Sequence, residues 1–174
     1  AWSVDGLWPG VTDVALVSFA IYLVLFDLVD YLLHRAQHGF GWWWQLHAVH
    51  HSQRQMTMWS DNRNHLLDDV LRDSAFVLVA LVVGVPPGQF IAVVAVTQLV
   101  ESLSHANVRL HFGRIGERLL VSPRFHRVHH GIGIGHESAG PGSLGGCNFP
   151  VLFPGWDAIL PSARWHDEPG PTGI

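Results

Sequence analysis

Histidine is the residue type that could do chemistry in this chain. Its 174 residues include 13 His, almost as many as the 14 Asp and Glu together. Two triplets have the spacing His-x-x-His-His, and an earlier pair has the spacing His-x-x-x-His. Residues three or four positions apart share one face of a helix, so the imidazoles of one motif can converge on a metal ion. The adjacent pair in each triplet diverges by about 100° around the helix axis and can serve two neighbouring ions.

Nine of these histidines form the predicted ligand set, which is too large for one ion but suits two ions with four or five nitrogens each. They are His34, His38, His47, His50, His51, His105, His126, His129 and His130. Imidazole binds Fe, Zn, Cu and Ni alike, so the ligand type does not select the metal. His65, His111 and His166 have no partner at helical spacing, and we expect them on the surface or around the ligands. We expect His136 in a glycine-rich loop near a substrate entrance.

Three carboxylates lie among apolar residues near these motifs, and two of them, Asp30 and Glu101, are the candidate catalytic residues. Inside a bilayer an ionised side chain costs about 2.5–3.5 kcal/mol, so such groups need a reason to be there. Asp30 precedes His34 by one helical turn and is predicted to accept its second ring N–H, which would fix the tautomer. Asp27 could do the same, and for either aspartate the alternative is a packing hydrogen bond inside the helical bundle. Glu101, one turn before His105, could bind metal, donate a proton to bound oxygen or accept a hydrogen bond.

Long apolar segments must position these motifs. Residues 14–33 are apolar apart from one Ser, two Asp and two Tyr, and about 20 such residues span a bilayer as a helix. A second apolar region, residues 75–100, is interrupted by Val85-Pro86-Pro87-Gly88. Two prolines and a glycine do not continue a helix, so this region predicts a hairpin of two short helical arms. The alternative is a soluble protein with three buried helices, although few charges remain to solvate its surface.

The predicted fold is therefore all-α: an integral membrane helical bundle with a cytoplasmic helical cap that carries the histidine-rich site for two metals. All ten basic residues are Arg, and none lies in residues 1–33 or in the hairpin turn. The positive-inside rule then places the histidine motifs on the cytoplasmic side, in what we expect to be a bacterial inner membrane. Trp42, Trp43 and Trp44 are predicted to anchor the headgroup region. We expect residues 1–174 to form a single domain, from a longer protein with a further helix before residue 1.

Charge and cysteine content exclude other classes of protein. The net charge of −4 argues against nucleic-acid binding, which favours a basic surface. The single Cys147 excludes an internal disulfide framework and a cysteine-based zinc or iron–sulfur site. No flavin or haem motif is visible in the sequence, so the site residues are predicted to bind metal and no organic cofactor.

The motifs together resemble those of the fatty acid hydroxylase superfamily, also called the sterol desaturase family. The resemblance covers residues 27–164. Its matching residues are Asp27, Tyr31, His34, Arg35, His38, His47, His50, His51, Ser52, His105, Asn107, Pro123, His126, Arg127, His129, His130, Asn148, Trp156 and Asp157. It implies an integral membrane di-iron oxygenase that acts on a fatty acyl chain, a sterol or a carotenoid. Two Fe ions are the implied cofactor, with Zn able to replace them in purified or crystallised protein.

The resemblance also implies the reaction and its partners. Activation of O2 at two irons would remove hydrogen from an unactivated C–H bond and give an alcohol, or give a double bond after a second hydrogen abstraction. The electrons would come from an external donor, such as a ferredoxin, a cytochrome b5 or a reductase, that docks on the Arg-rich cytoplasmic face.

Two rival functions remain open at this stage. A bis-His haem electron carrier in the membrane needs only two axial His per haem and leaves the triplets unexplained. A zinc-dependent membrane hydrolase needs a general base and an open coordination position. Glu101 could be that base, although the sequence contains no His-Glu-x-x-His motif.

Overall fold

The computed structural model of this chain describes residues 3–133 and 145–174. Within these ranges the regular structure is helical and contains no strand; an isolated antiparallel bridge joins Gly131 to Thr172. The all-α prediction is therefore confirmed for the described residues. His136 lies outside them.

The described residues form eight α-helices and one 3-10 helix. The α-helices are α1 (Val4–Leu7), α2 (Ala15–Gly39), α3 (Gly41–His51), α4 (Leu66–Val83), α5 (Pro87–His105), α6 (Gly113–Gly116), α7 (Pro123–His129) and α8 (Gly155–Ile159), and the 3-10 helix is Met58–Asn62.

Helix α2 is the long apolar element predicted from the sequence. Its 25 residues extend for about 37 Å. Among the described helices, it is the one that is long and apolar enough to cross a membrane. Phe40 ends α2 and begins α3 with the same extended backbone, φ −102° and ψ 118°. The chain therefore changes direction at this single residue, and α3 packs against α2.

The predicted hairpin break is confirmed. Gly84 ends α4 with a left-handed φ of 75°, which glycine adopts without steric cost. Pro87 is the first residue of α5, where its missing N–H removes no helical hydrogen bond. The helices are longer than their apolar stretches, since α4 has 18 residues and α5 has 19, but neither is among the described helices that are long and apolar enough to cross a membrane. Both helices continue beyond the apolar region into polar residues, at the start of α4 and at the end of α5.

An apolar core joins α2 to this hairpin at the end far from the histidine motifs. Its buried members are Tyr22, Phe26, Phe76, Ala80, Val85 and Val93. The ring of Phe26 lies 5.5 Å from those of both Phe76 and Phe90, measured between centroids. At the other end of the hairpin, Arg72 of α4 pairs with Glu101 of α5 at 3.0 Å. The two helices are thus antiparallel neighbours, and both of their polar ends lie beside the histidines.

Candidate metal centre

All nine histidines predicted as ligands come together in two adjacent groups. The five-histidine group contains His34, His38, His47, His51 and His129, and the four-histidine group contains His50, His105, His126 and His130. Each residue offers one nitrogen, and within a group these nitrogens lie within 4.8 Å of one another. Every one of these side chains is buried.

Helix geometry explains how neighbouring residues reach different groups. His50 and His51 are adjacent on α3, yet His50 belongs to the four-histidine group and His51 to the five-histidine group. At the end of α7, His129 and the residue that follows the helix, His130, are divided in the same way. A step of one residue rotates a side chain by about 100° around the helix axis. The rings of His51 and His130 are stacked with centroids 4.2 Å apart, so the two groups share a wall.

The distances between ring nitrogens fit ligands around a common ion. In the four-histidine group, the Nε2 of His105 lies 3.1 Å from that of His50 and 3.0 Å from that of His126. The Nε2 atoms of His51 and His129 in the other group are 3.1 Å apart. Two imidazole nitrogens at right angles around an ion, each bonded at about 2.0–2.1 Å, lie about 2.9 Å apart.

Unpartnered nitrogens provide a second test of fit. Both ring nitrogens of His38 and the Nε2 atoms of His34 and His47 are buried without a hydrogen-bond partner. A buried polar atom without a partner costs about 1–3 kcal/mol. All three residues belong to the five-histidine group, where a bound cation would satisfy these lone pairs. The residues present therefore fit a metal ion.

Backbone carbonyls fix the orientation of three of the rings. A carbonyl only accepts, so the Nδ1 atom facing it carries the proton and Nε2 keeps a lone pair for a metal. The contacts from Nδ1 to the carbonyl oxygen are His34 to Phe149 at 2.7 Å, His105 to Glu101 at 2.8 Å and His129 to Cys147 at 2.6 Å.

Asp68 fixes a fourth ring and was missed by the sequence analysis. Its Oδ2 accepts from the Nδ1 of His47 at 3.0 Å. Its Oδ1 accepts from Gln37 Nε2 at 2.8 Å and from Trp43 Nε1 at 2.7 Å. Asp68 lies in the first turn of α4, 21 residues beyond His47, so helical spacing could not connect them. The predicted hairpin region begins at residue 75, so no predicted helix included Asp68.

Burial lowers the pKa of five of these imidazoles and so favours their neutral form. Loss of solvent lowers the pKa of His50, His51, His126 and His130 well below the usual value of 6.5, and neighbouring histidines lower it further. Burial lowers the pKa of His129 to about 3, although its hydrogen bond to the Cys147 carbonyl opposes the shift. The neutral imidazole is the form that binds a metal ion, so these five rings favour metal binding at neutral pH.

Comparison with known proteins assigns the chain to a family. The family model described as fatty acid hydroxylase matches residues 19–162. The chain belongs to the fatty acid hydroxylase family.

Two relatives show what this hydroxylase-family chain is similar to. Ornithine lipid hydroxylase OlsE of Rhizobium tropici is 26% identical over 165 residues, which cover 95% of this chain and 46% of the relative. Alkylglycerol monooxygenase of Caenorhabditis elegans is 26% identical over 152 residues, which cover 85% of this chain and 28% of the relative. The chain thus spans less than half the length of either relative. No solved structure matches it significantly.

The predicted hydrogen bond from His34 to Asp30 is wrong for this hydroxylase-family chain. Arg72 of α4 occupies both carboxylate oxygens of Asp30, with Nε at 2.9 Å and Nη2 at 2.7 Å. His34 instead turns its Nδ1 to the Phe149 carbonyl. The side chain of Glu101 lies outside both histidine groups and accepts from the same Arg72 Nη2 at 3.0 Å. Asp30 and Glu101 therefore share one half-buried guanidinium.

Asp27 takes the packing role that the sequence analysis left open. Its carboxylate accepts from Leu152 N at 2.8 Å, Phe153 N at 3.1 Å and Trp156 Nε1 at 2.8 Å. These three donors lie just after Phe149, whose carbonyl orients His34. Asp27 thus attaches the C-terminal segment of the hydroxylase-family chain to α2 and acts on the histidines only through that segment.

The remaining aromatic and histidine residues separate into surface and centre. His65, His111 and His166 are exposed. Trp42 is also exposed and stacks on Trp43. The ring of Trp44 lies 5.0 Å from His38 and 5.3 Å from His51. Of the three tryptophans predicted as membrane anchors, Trp44 therefore borders the five-histidine group.

Proposed function

We propose that this chain carries the catalytic centre of a membrane di-iron oxygenase that hydroxylates or desaturates a lipid. The observation that carries the proposal is the pair of adjacent, buried histidine groups in a member of the fatty acid hydroxylase family. Two Fe ions are the proposed cofactor, and Zn can take their place in purified protein. Bound iron would supply the activation of O2 and the oxidation of a substrate C–H bond.

The protein residues hold the nitrogens in place. Nδ1 contacts with Asp68 and with backbone carbonyls direct the Nε2 lone pairs of four histidines inward. A chamber of about 30 Å³ lies beside His34, His47, His50 and His126. The chamber is large enough to admit a molecule of about the size of water beside the histidines.

A membrane location follows from the outer surfaces of the long helices. Helix α2 is long and apolar enough to cross a bilayer, and the hairpin packs against it. Large apolar side chains of the hairpin point outward without cover, among them Leu78, Leu81, Val82, Ile91 and Leu99. Apolar patches of this kind mark surfaces that contact membrane or protein. In the proposed orientation the histidine end faces the cytoplasm of a bacterium, and the complete span belongs to the inner membrane.

Substrate and electron donor are assigned by chemical class. The relatives are named for an ornithine lipid and for an alkylglycerol, both apolar chains joined to a polar group. We propose a substrate of that kind, in preference to a sterol or a carotenoid. The electrons come from an external donor, a ferredoxin, a cytochrome b5 or a reductase, docked on the face where Arg109, Arg124 and Arg127 line one open cavity.

The zinc hydrolase fits the geometry less well. Zinc in proteins takes four ligands in structural sites, and three plus a water in catalytic sites. The candidate general base of such a hydrolase, Glu101, lies outside both histidine groups and is paired with Arg72. The haem carrier needs only two imidazoles per haem. The absence of a Soret band from the absorption spectrum of the purified protein would exclude this function.

The deciding experiment uses the full-length protein in lipid nanodiscs. We expect two iron ions per chain by elemental analysis, and a lipid product that gains one labelled oxygen atom from ¹⁸O2. His50→Ala and His129→Ala should each lose iron and product, whereas the matched surface variant His166→Ala should keep both. Normal iron content in both centre variants would refute the proposal.

A further inference from the structure

An elongated groove between α4 and α5 changes from apolar to charged along its length. Its volume is about 280 Å³, close to the lower end of the roughly 300–1,000 Å³ that ligand pockets enclose. On α5 the residues Phe90, Val94, Thr97 and Glu101 line it. They follow one another at helical spacing along one face, over about 16 Å. The apolar end is open, since Val94 is 37% exposed.

The charged end of the groove is also a wall of the chamber beside the histidines. Arg72 and Glu101 line both spaces, and their 3.0 Å ion pair joins α4 to α5 between them. The guanidinium of Arg72 lies 5.3 Å from the centre of the Phe76 ring, which lines the groove. The groove therefore adjoins the chamber beside the candidate metal centre, and the Arg72–Glu101 ion pair lies between the two.

The wall of the groove includes one unsatisfied polar atom, the hydroxyl oxygen of Thr97. Its side chain lines the groove and is 94% buried, with 6% exposure, yet Oγ1 has no hydrogen-bond partner. Such an atom costs free energy unless something satisfies it. An apolar wall with one or two placed polar groups is the usual composition of a small-molecule site.

We propose that this groove binds the hydrocarbon chain of the lipid substrate, which enters sideways from the bilayer between α4 and α5. This inference rests on the proposed function. The apolar end, at Val77, Phe90 and Val94, holds the chain, and the polar part of the lipid lies toward Arg72 and Glu101. The Arg72–Glu101 ion pair stands between the groove and the chamber beside the histidines, so the reacting carbon reaches the histidines only when this pair opens.

Two valines on α5 provide a matched test. Val94 lines the groove, whereas Val96 lies about 200° away around the helix; each is 37% exposed. The probe is stearic acid with a photoreactive diazirine in its chain, bound to full-length protein in nanodiscs and mapped by mass spectrometry. We expect saturable labelling of Val77 and Val94, competed by unlabelled stearic acid. Val94→Trp should weaken probe binding by about tenfold or more, because it overfills the groove, and Val96→Trp should leave it unchanged.

Several results would overturn the groove. These are labelling that does not saturate, labelling confined to outward residues such as Leu78 and Leu99, or equal effects of Val94→Trp and Val96→Trp. Cross-linking of the groove to another segment or to a second copy would make it a helix-docking surface instead. Probe binding needs neither iron nor O2, so the two proposals fail separately. Labelling of the groove without any oxidised lipid would refute the proposed oxygenase function. Formation of oxidised lipid, together with equal probe binding by Val94→Trp and Val96→Trp, would refute substrate binding in the groove.

Discussion

Replacing Asp68 by Asn tests whether the metal site depends on the proton held between His47 and Asp68. In the structure, Oδ1 of Asp68 accepts from Gln37 and Trp43 while Oδ2 accepts from the Nδ1 of His47. The single oxygen of Asn would stay with the two donors, which places the amide nitrogen against Nδ1. Two N–H groups cannot face each other, so His47 must move its proton to Nε2. That tautomer has no lone pair for the ion, which is the same reason that an Asp-to-Asn change disables a catalytic triad.

The size of the effect follows from the role of such partners. Loss of a hydrogen-bond acceptor behind a metal-bound His typically lowers metal affinity about 10–100-fold, which corresponds to about 1.4–2.8 kcal/mol. His47 belongs to the five-histidine group alone. We therefore expect weaker binding of one ion and unchanged binding of the other.

An anaerobic Fe(II) titration against a competing chelator, read as two binding steps, measures both affinities. Asp69→Asn is the matched control because it makes the same charge change at the next position of α4, and we expect it to bind both ions normally. Unchanged affinity in Asp68→Asn would refute the tautomer argument. Loss of both ions in parallel with a lower unfolding midpoint would refute it as well, since Asp68 would then act on folding alone.

Three further predictions concern buried polar groups. Arg72→Met leaves the carboxylates of Asp30 and Glu101 without a counter-charge and should destabilise the fold by about 3–5 kcal/mol. In chemical denaturation, the double variant Arg72→Met/Glu101→Leu should recover part of this lost free energy of unfolding. No recovery would contradict the ion-pair explanation. Asp27→Asn weakens charged hydrogen bonds to the C-terminal segment, worth about 1.5–3 kcal/mol each; an unfolding midpoint equal to wild type would show that the anchor is dispensable. Burial raises the pKa of Cys147 to about 12, so at pH 8 only about one thiol in ten thousand is ionised. Iodoacetamide should therefore modify Cys147 only after denaturation. Equal rates of modification before and after denaturation would show that the thiol is not buried.

The histidine motifs were predictable because the spacing within each motif depends on local geometry. A helix repeats every 3.6 residues, so the spacing within His47–His51 and within His126–His130 already shows which side chains share a face. The break before Pro87 was equally local, since proline and glycine act on their own backbone. These features need no knowledge of which helices are neighbours.

Partners of the second ring nitrogens were not predictable in this way. Asp30 stood one turn from His34, the right place for an acceptor, but α4 brings Arg72 to it across 42 residues of sequence. His34 then finds its acceptor 115 residues away, at the Phe149 carbonyl. An unpaired guanidinium costs more to bury than an imidazole N–H, so the cation takes the carboxylate and the ring takes a carbonyl.

The sequence by itself determined the number of imidazoles, the helix faces that carry them and the turn that folds the hairpin, because helical periodicity and backbone stereochemistry act over a few residues. Only the tertiary structure decided how the rings divide into five and four, which oxygen fixes each tautomer, and that Arg72 and Glu101 separate an apolar groove from the histidines. These depend on which helices pack together, and that packing minimises buried charge and unsatisfied polar atoms over the whole chain at once.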